Sequence, residues 1–223
     1  MKTLQFNVSI WALALLTASS SLAACAQAKR SVQFSSARIA RTAVVDSSKI
    51  KLLMPLQQTV TKLKKLSPTG DPDFDYSFQA KLQAQGLQDF LKQGIANSKD
   101  SSLQEMAKQL LETTTTDIAT IDATMRQLKP TRPNQMFTQQ QSQNIEAMNL
   151  KLQKTNSNDT LSKNYDANFA ALLMDQRQDS IDMATTYLQY GKNDTLRAYA
   201  QQLVDQSKKQ MNSLKSMAKA TVK

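Results

Sequence analysis

The side chains with chemistry in this 223-residue chain are few, and what is missing narrows the field first. Histidine is absent, which removes the commonest metal ligand and general base together. The only glutamates are Glu105, Glu112 and Glu146. A helical di-iron centre needs a Glu on each of two helices and a Glu-x-x-His on each of two others, so it cannot be assembled. Soft ligands survive. Met106, Met125, Met174, Met183 and Met211, with Met217 beyond them, fall in helical stretches, and a thioether cluster can hold Cu(I). Core filling competes with that reading, because methionine is unbranched and adapts to gaps. Met106, Met125, Met211 and Met217 stand where leucine would serve equally. Acid–base catalysis wants a positioned pair of titratable groups with displaced pKa values. Asp175, Asp179 and Asp182 share a helix with Arg177 and read as a solvated face with local ion pairs. Nucleophile–base signatures, Gly-rich phosphate loops and HExxH are missing from the sequence, which predicts a protein that is not an enzyme.

The elements that would position these residues are helices. Four Gly and five Pro, among abundant Leu, Ala, Gln and Lys, predict an all-α fold. Phe74, Phe78, Leu82, Gly86 and Phe90 recur every four residues in a helix from Asp73 to about Asn97. Leu103, Met106, Leu110, Ile118, Ile121 and Leu128 mark the next, with Ser102 and Glu105 as a capping box and Pro130 and Pro133 as its end. A Gln-rich stretch from Phe137 to Leu152 predicts a short connector helix. The long pattern restarts at Asp166 and runs to Tyr190, where Gly191 supplies a C-terminal glycine and Asn193 or Asp194 an N-cap. Leu196 to Met217 completes the set. Earlier, Pro55 predicts the start of a short helix carrying Leu56, Val60 and Leu63.

The two long pairs repeat. A shift of 93 residues sets Asp73 on Asp166, Gln83 on Gln176, Lys99 on Lys192 and Leu103 on Leu196, with matching apolar positions and a matching break between helices. A lone hairpin cannot bury its apolar stripe, so two of them predict a four-helix bundle over residues 67–223. Hairpin 1 would occupy about 72–129, the connector 130–163 and hairpin 2 about 164–222.

The second copy resembles the exported bacterial helical proteins called domain of unknown function 305. Their pattern is roughly D-x-x-F-x-x-x-M-x-x-H-H-x-x-A-I-x-M-A, then G-x-x-x-x-L, then Q-x-x-E-I. Asp166, Phe169, Ile181, Met183, Ala184, Gly191 and Leu196 match it. The connector and the phrase NYDANF also resemble a second, related ferritin-like family of exported proteins. The resemblance implies a ferritin-like up-and-down bundle. This chain departs where the family has its two histidines, with Gln176-Arg177 in one copy and Gln83-Ala84 in the other. The Q-x-x-E-I positions hold Ser207 and Gln210, and in the first copy Thr114 and Asp117. Copper binding through histidine therefore does not carry over, since glutamine is a poor ligand and arginine none. In its place a polar core layer of Gln83, Gln176, Arg177, Asp117 and Gln210, with Thr114 and Ser207, is expected at the family's metal positions. The alternative is a slight helix rotation that leaves one or both glutamines at the surface.

The N-terminus points outside the cell. Ile10 to Leu16 is an apolar run too short to span a membrane, and Leu22-Ala23-Ala24-Cys25 resembles a bacterial lipobox. Residues 1–24 then form a signal peptide and Cys25, the sole cysteine, takes the lipid. Between Lys29 and Leu66 nine Lys and Arg face Asp46 alone, whereas residues 67–223 carry 18 basic and 17 acidic side chains. Residues 25–66 thus read as a basic tether drawn to anionic head groups, at roughly 1 kcal/mol per charge near the surface. Nucleic acid is not expected as a partner, because no aromatic residues interleave the charges. Ala26 lacks the retention signal of an aspartate, so an outer-membrane lipoprotein facing the periplasm is expected, with no cofactor.

Overall fold

The computed structural model describes residues 47–157 and 161–220; the expected signal peptide, Cys25 and most of the expected basic tether lie outside them. Six helices and no strand are found among the described residues. They are α1 (Ser47–Lys65), α2 (Pro72–Asn97), α3 (Ser101–Met125), α4 (Gln135–Ser157), α5 (Tyr165–Tyr190) and α6 (Asp194–Ala220). None of them is long and apolar enough to cross a membrane.

α2 and α3 form one hairpin and α5 and α6 the other. The hairpins meet mainly through α2 against α5, with a sparser seam between α3 and α6. α1 and α4 pack on each other and cover the far side of the α2–α5 pair. The consequence is three tiers of two helices, with α2 and α5 in the middle. α3 buries a single stripe, Leu103, Ala107, Leu110, Thr114, Ile121 and Thr124. α2 and α5 instead bury residues around much of their circumference, polar ones included, because little of either is free to face water. The expected line holds only in the second half of α2: Gly86 and Phe90, with the flanking Leu87 and Leu91, are buried, whereas Phe78 is 44% exposed and Tyr76 and Ala80 are buried in its place. A strict spacing of four drifts about 40° per step against 3.6 residues per turn, so the line starts outside the core and turns into it.

α1 and α4 depart from expectation. α4 runs 23 residues rather than the expected Phe137 to Leu152. α1 begins at Ser47, not Pro55, and Pro55 sits in its interior. An interior proline costs about 3 kcal/mol, through a missing hydrogen bond and a clash with the preceding turn. Continuing the helix backward buries Leu52 and Leu53 completely or nearly so, worth about 1.5–3 kcal/mol each, and the burial wins. α1 also comes very close to α2. A Cβ built on Gly86 would lie 1.7 Å from Thr59 Oγ1, so a bare backbone at 86 is what lets the helices touch.

The helix starts are capped by side chains. Asp71 accepts from Asp73 N and Phe74 N with Pro72 next in line, and Asn164 accepts from Ala167 N. Asp100 caps α3 by accepting from Ser102 N and Leu103 N, so the expected Ser102–Glu105 box is not used. Gly191 is the expected glycine at the end of α5, where its N–H donates to Tyr187 O, but at φ −68° it is outside the left-handed region; what needs a glycine here is the Tyr187 ring, 2.0 Å from where a Cβ would be.

Candidate functional site

Gln83, Gln176 and Arg177 are all buried, at 6%, 9% and 3% exposure, so rotation toward solvent does not occur. The middle-tier position of α2 and α5 is the cause. Arg177 donates from Nε (3.0 Å) and Nη2 (2.7 Å) to Gln176 Oε1, and from Nη2 to Ser180 Oγ at 3.4 Å. Ser180 Oγ in turn donates to Gln176 O at 3.0 Å. Gln83 Nε2 points to the Met183 thioether, 3.1 Å away. Gln83, Gln176, Arg177, Ser180, Thr114, Asp117 and Tyr199 surround one cavity of about 10 Å³, close to the space of a single water.

Arg177 is a buried cation without a carboxylate in contact: among the described residues no carboxylate oxygen lies within 4.0 Å of its guanidinium. Burial lowers its pKa to about 10, against the opposing pull of Tyr199 and Asp117, and it stays charged at neutral pH. Burial likewise raises the Asp117 carboxyl, with Arg177 offsetting part of the shift. Burial raises Tyr199 too.

The expected polar layer is therefore assembled only in part. Gln210 does not reach this cavity. It lines a wide groove of about 640 Å³ at the other end of the antiparallel α3–α6 seam, beside Met106 and Met217. Gln210 Oε1 and Ser207 Oγ are buried without a hydrogen-bond partner. Thr114 spends its hydroxyl on Leu110 O at 2.7 Å, within its own helix. The antiparallel course of α3 and α6 separates the repeat equivalents Asp117 and Gln210: Asp117 lies at the level of Tyr199 and Leu203 of α6, and Gln210 at the level of Leu110 and Thr113 of α3.

The methionines are dispersed. Met106, Met174 and Met217 pack against one apolar cluster, Met125 and Met211 against a second, and Met183 belongs to a third. Among the described residues no group of three or more His, Cys, Asp or Glu could hold a metal ion. The aspartates of α5 are not a wholly solvated face either. α4 covers Asp179, which accepts from Lys151 Nζ at 2.6 Å, and burial raises the carboxyls of Asp179 and Asp175.

Three tyrosines outside the motif pattern are buried in the core near the α5–α6 turn. Tyr76 stacks on Tyr187 with centroids 4.1 Å apart and planes 5° apart, and Tyr199 lies 6.5 Å from Tyr76. Tyr187 Oη donates to Asp73 Oδ1 at 2.7 Å. Tyr199 occupied an apolar stripe in the sequence and gave no sign of facing an arginine.

No curated protein and no solved structure matches the chain. The family described as Domain of unknown function (DUF305) matches residues 89–218, from the second half of α2 through nearly all of α6. That span takes in more than half of the 223 residues, the Gln176–Arg177 pair of α5 and the whole of α3 to α5, and the chain belongs to this family.

Proposed function

We propose that the chain is a non-enzymatic, lipid-anchored envelope protein, a helical binding or structural module with a ferritin-like four-helix bundle at its heart. The observation that carries the non-metal part is Arg177. A buried guanidinium, held by Gln176 and Ser180, occupies the position where the family pattern has histidine. A fixed positive charge beside a cavity the size of one water disfavours a metal cation by simple repulsion. The up-and-down bundle is supported by the two hairpins meeting through α2 and α5. The anchor is supported by the lipobox-like residues at Cys25 and the basic stretch after it. What supports an outer-membrane, periplasm-facing placement is Ala26, which is not the aspartate associated with inner-membrane retention.

Two measurements test the proposal. Cu(I) titrated into residues 26–223 should show no submicromolar binding. Replacing Cys25 by Ser should move the chain from the membrane to the soluble fraction of its host; a chain that stays in the membrane removes the anchor. The competing reading, Cu(I) held by methionine, has one observation in its favour: Met106 and Met217 line the same groove. Submicromolar binding lost on Met106→Leu and Met217→Leu would establish it.

A further inference from the structure

We propose that the outer face of the α1–α4 tier docks on an anionic lipid bilayer. The charge of the helices is unevenly divided between tiers. α1 carries five lysines and no acidic residue, and α4 two lysines and the single acid Glu146. α3 and α6, on the other side of α2 and α5, hold six basic and six acidic residues between them. Lys64 pairs with Glu146, and Lys151 with Asp179 of α5. Lys51, Lys62, Lys65 and Lys154 are exposed, and none makes an ion pair among the described residues.

Apolar side chains stand among these lysines. Of the five large hydrophobics exposed in the described residues, Ile50, Met54, Met136 and Leu150 belong to α1 and α4. Helical spacing sets Ile50, Met54 and Lys65 on the side of α1 opposite Leu52, Leu56 and Leu63. It sets Met136, Leu150 and Lys154 on the side of α4 opposite Gln141, Ile145 and Met148. Scattered exposed hydrophobics are ordinary, but these share their faces with unpaired lysines on one side of the bundle. An anionic bilayer suits both groups. Head groups attract the lysines, each worth about fivefold in affinity close to the surface, and the apolar side chains reach the acyl boundary between them. Nucleic acid is disfavoured, because neither α1 nor α4 exposes an aromatic ring for stacking. The choice of a bilayer rests on the Cys25 reading: α1 begins 22 residues after that cysteine, and a tether makes docking intramolecular, so a weak surface suffices.

The test leaves the anchor out, so a failure of the Cys25 reading and a failure of the docking face are separate results. Residues 26–223 carry no acyl chain and, since Trp11 is the sole tryptophan, no tryptophan. They are sedimented with vesicles of phosphatidylglycerol mixed with phosphatidylcholine, and with vesicles of phosphatidylcholine alone. Only the anionic vesicles should carry the protein down. Lys51→Gln, Lys62→Gln, Lys65→Gln and Lys154→Gln together should weaken binding at least about tenfold. Lys108→Gln, Lys208→Gln and Lys209→Gln together, on α3 and α6, should leave it unchanged. Met54→Trp and Leu150→Trp should shift their emission to the blue on anionic vesicles, and Gln202→Trp, exposed on α6, should not. Absence of binding to anionic vesicles, or equal weakening by both lysine sets, overturns the docking face. Binding that survives the α1–α4 replacements overturns it too, since the basic residues before α1 would then suffice. Equally tight binding to polyglutamate, with no emission shift at Met54→Trp, would give the face to an acidic protein and overturn the bilayer.

Discussion

Asp73, in the first turn of α2, accepts the backbone N–H of Lys192 at 2.9 Å, 119 residues away in the turn between α5 and α6. The same carboxylate oxygen takes Asn193 N at 3.1 Å and the Tyr187 hydroxyl. The bond is reciprocated at the 93-residue offset: Asp166, in the first turn of α5, accepts from Lys99 N at 3.1 Å in the turn between α2 and α3. Each hairpin thus starts with an aspartate that fastens the turn of the other. The turns that lead into α2 and α5 repeat as well. Asp75 receives Thr69, Asn168 receives Ser162, and Asp71 and Asn164 are the two caps.

The two clasps should differ in strength. Asp73 is 4% exposed and satisfies three donors, whereas Asp166 holds one bond at a partly exposed site. Bonds to a charged acceptor contribute about 1.5–3 kcal/mol, more when donors are left buried and unpaired. Asp73→Ala should cost about 3 kcal/mol or more and Asp166→Ala under about 1 kcal/mol, read from urea unfolding midpoints. Equal losses would contradict the burial argument.

The long helices and the 93-residue repeat were legible because periodic patterns survive over many turns. Asp73 and Asp166 could be paired by offset, but their partners could not, since a backbone N–H 119 residues away leaves no mark on side-chain pattern. The burial of Gln83 and Gln176 was legible as one of two alternatives only. What settles it is the tier formed by α1 and α4, and those were the stretches read as accessory. Pro55 masked the start of α1, because proline at a helix start is the ordinary reading and the burial of Leu52 and Leu53 depends on tertiary contact.

Gly86 gives a test of the α1 tier. In an isolated helix Gly→Ala stabilises by about 1 kcal/mol. Here the new Cβ would fall 1.7 Å from Thr59 Oγ1 and 2.9 Å from Thr59 Cβ, so α1 must move away from α2. Gly86→Ala should therefore reverse sign and destabilise by about 1–3 kcal/mol, as overpacking does. Combining it with Thr59→Ala should return most of the loss in thermal unfolding. A stabilised single variant would mean that α1 is not packed at this site.

Gln176 and Arg177 should act as a unit. Arg177→Met removes a desolvated charge but strands Gln176 Oε1, whose hydrogen bonds both come from that guanidinium. The stranded acceptor costs about 1–3 kcal/mol, so the single variant should be destabilised. Gln176→Leu with Arg177→Met removes both ends, and replacing buried charge by apolar volume is often neutral or stabilising. The double variant should lie within about 1 kcal/mol of the parent or above it. A double variant that falls by the sum of the singles would show that the two residues are not coupled.

Alkaline pH should unfold the core from its tyrosines. Burial first raises the pKa of Tyr76, Tyr187 and Tyr199 above the ordinary 10.0, followed by neighbouring charge for Tyr76 and Tyr199 and by the hydrogen bond to Asp73 for Tyr187. A raised folded-state pKa contributes stability that is complete below pH 10, where both states hold the proton. It is lost as pH climbs toward the folded values, because the unfolded chain ionises first. Arg177 works the other way. Its folded pKa of about 10 lies below the ordinary 12.5, so the unfolded chain keeps the proton longer and rising pH relieves part of the burial cost. Three tyrosines outweigh one arginine, and the urea midpoint should be level from pH 7 to 9 and fall above pH 10. Tyr76→Phe sharpens the test, because Tyr76 Oη is buried with no partner. Its removal should raise stability at pH 7 by about 1 kcal/mol and also reduce the slope above pH 10. A midpoint that rises through pH 10–11, or a Tyr76→Phe variant less stable than its parent at pH 7, would place that hydroxyl in a hydrogen bond or in water.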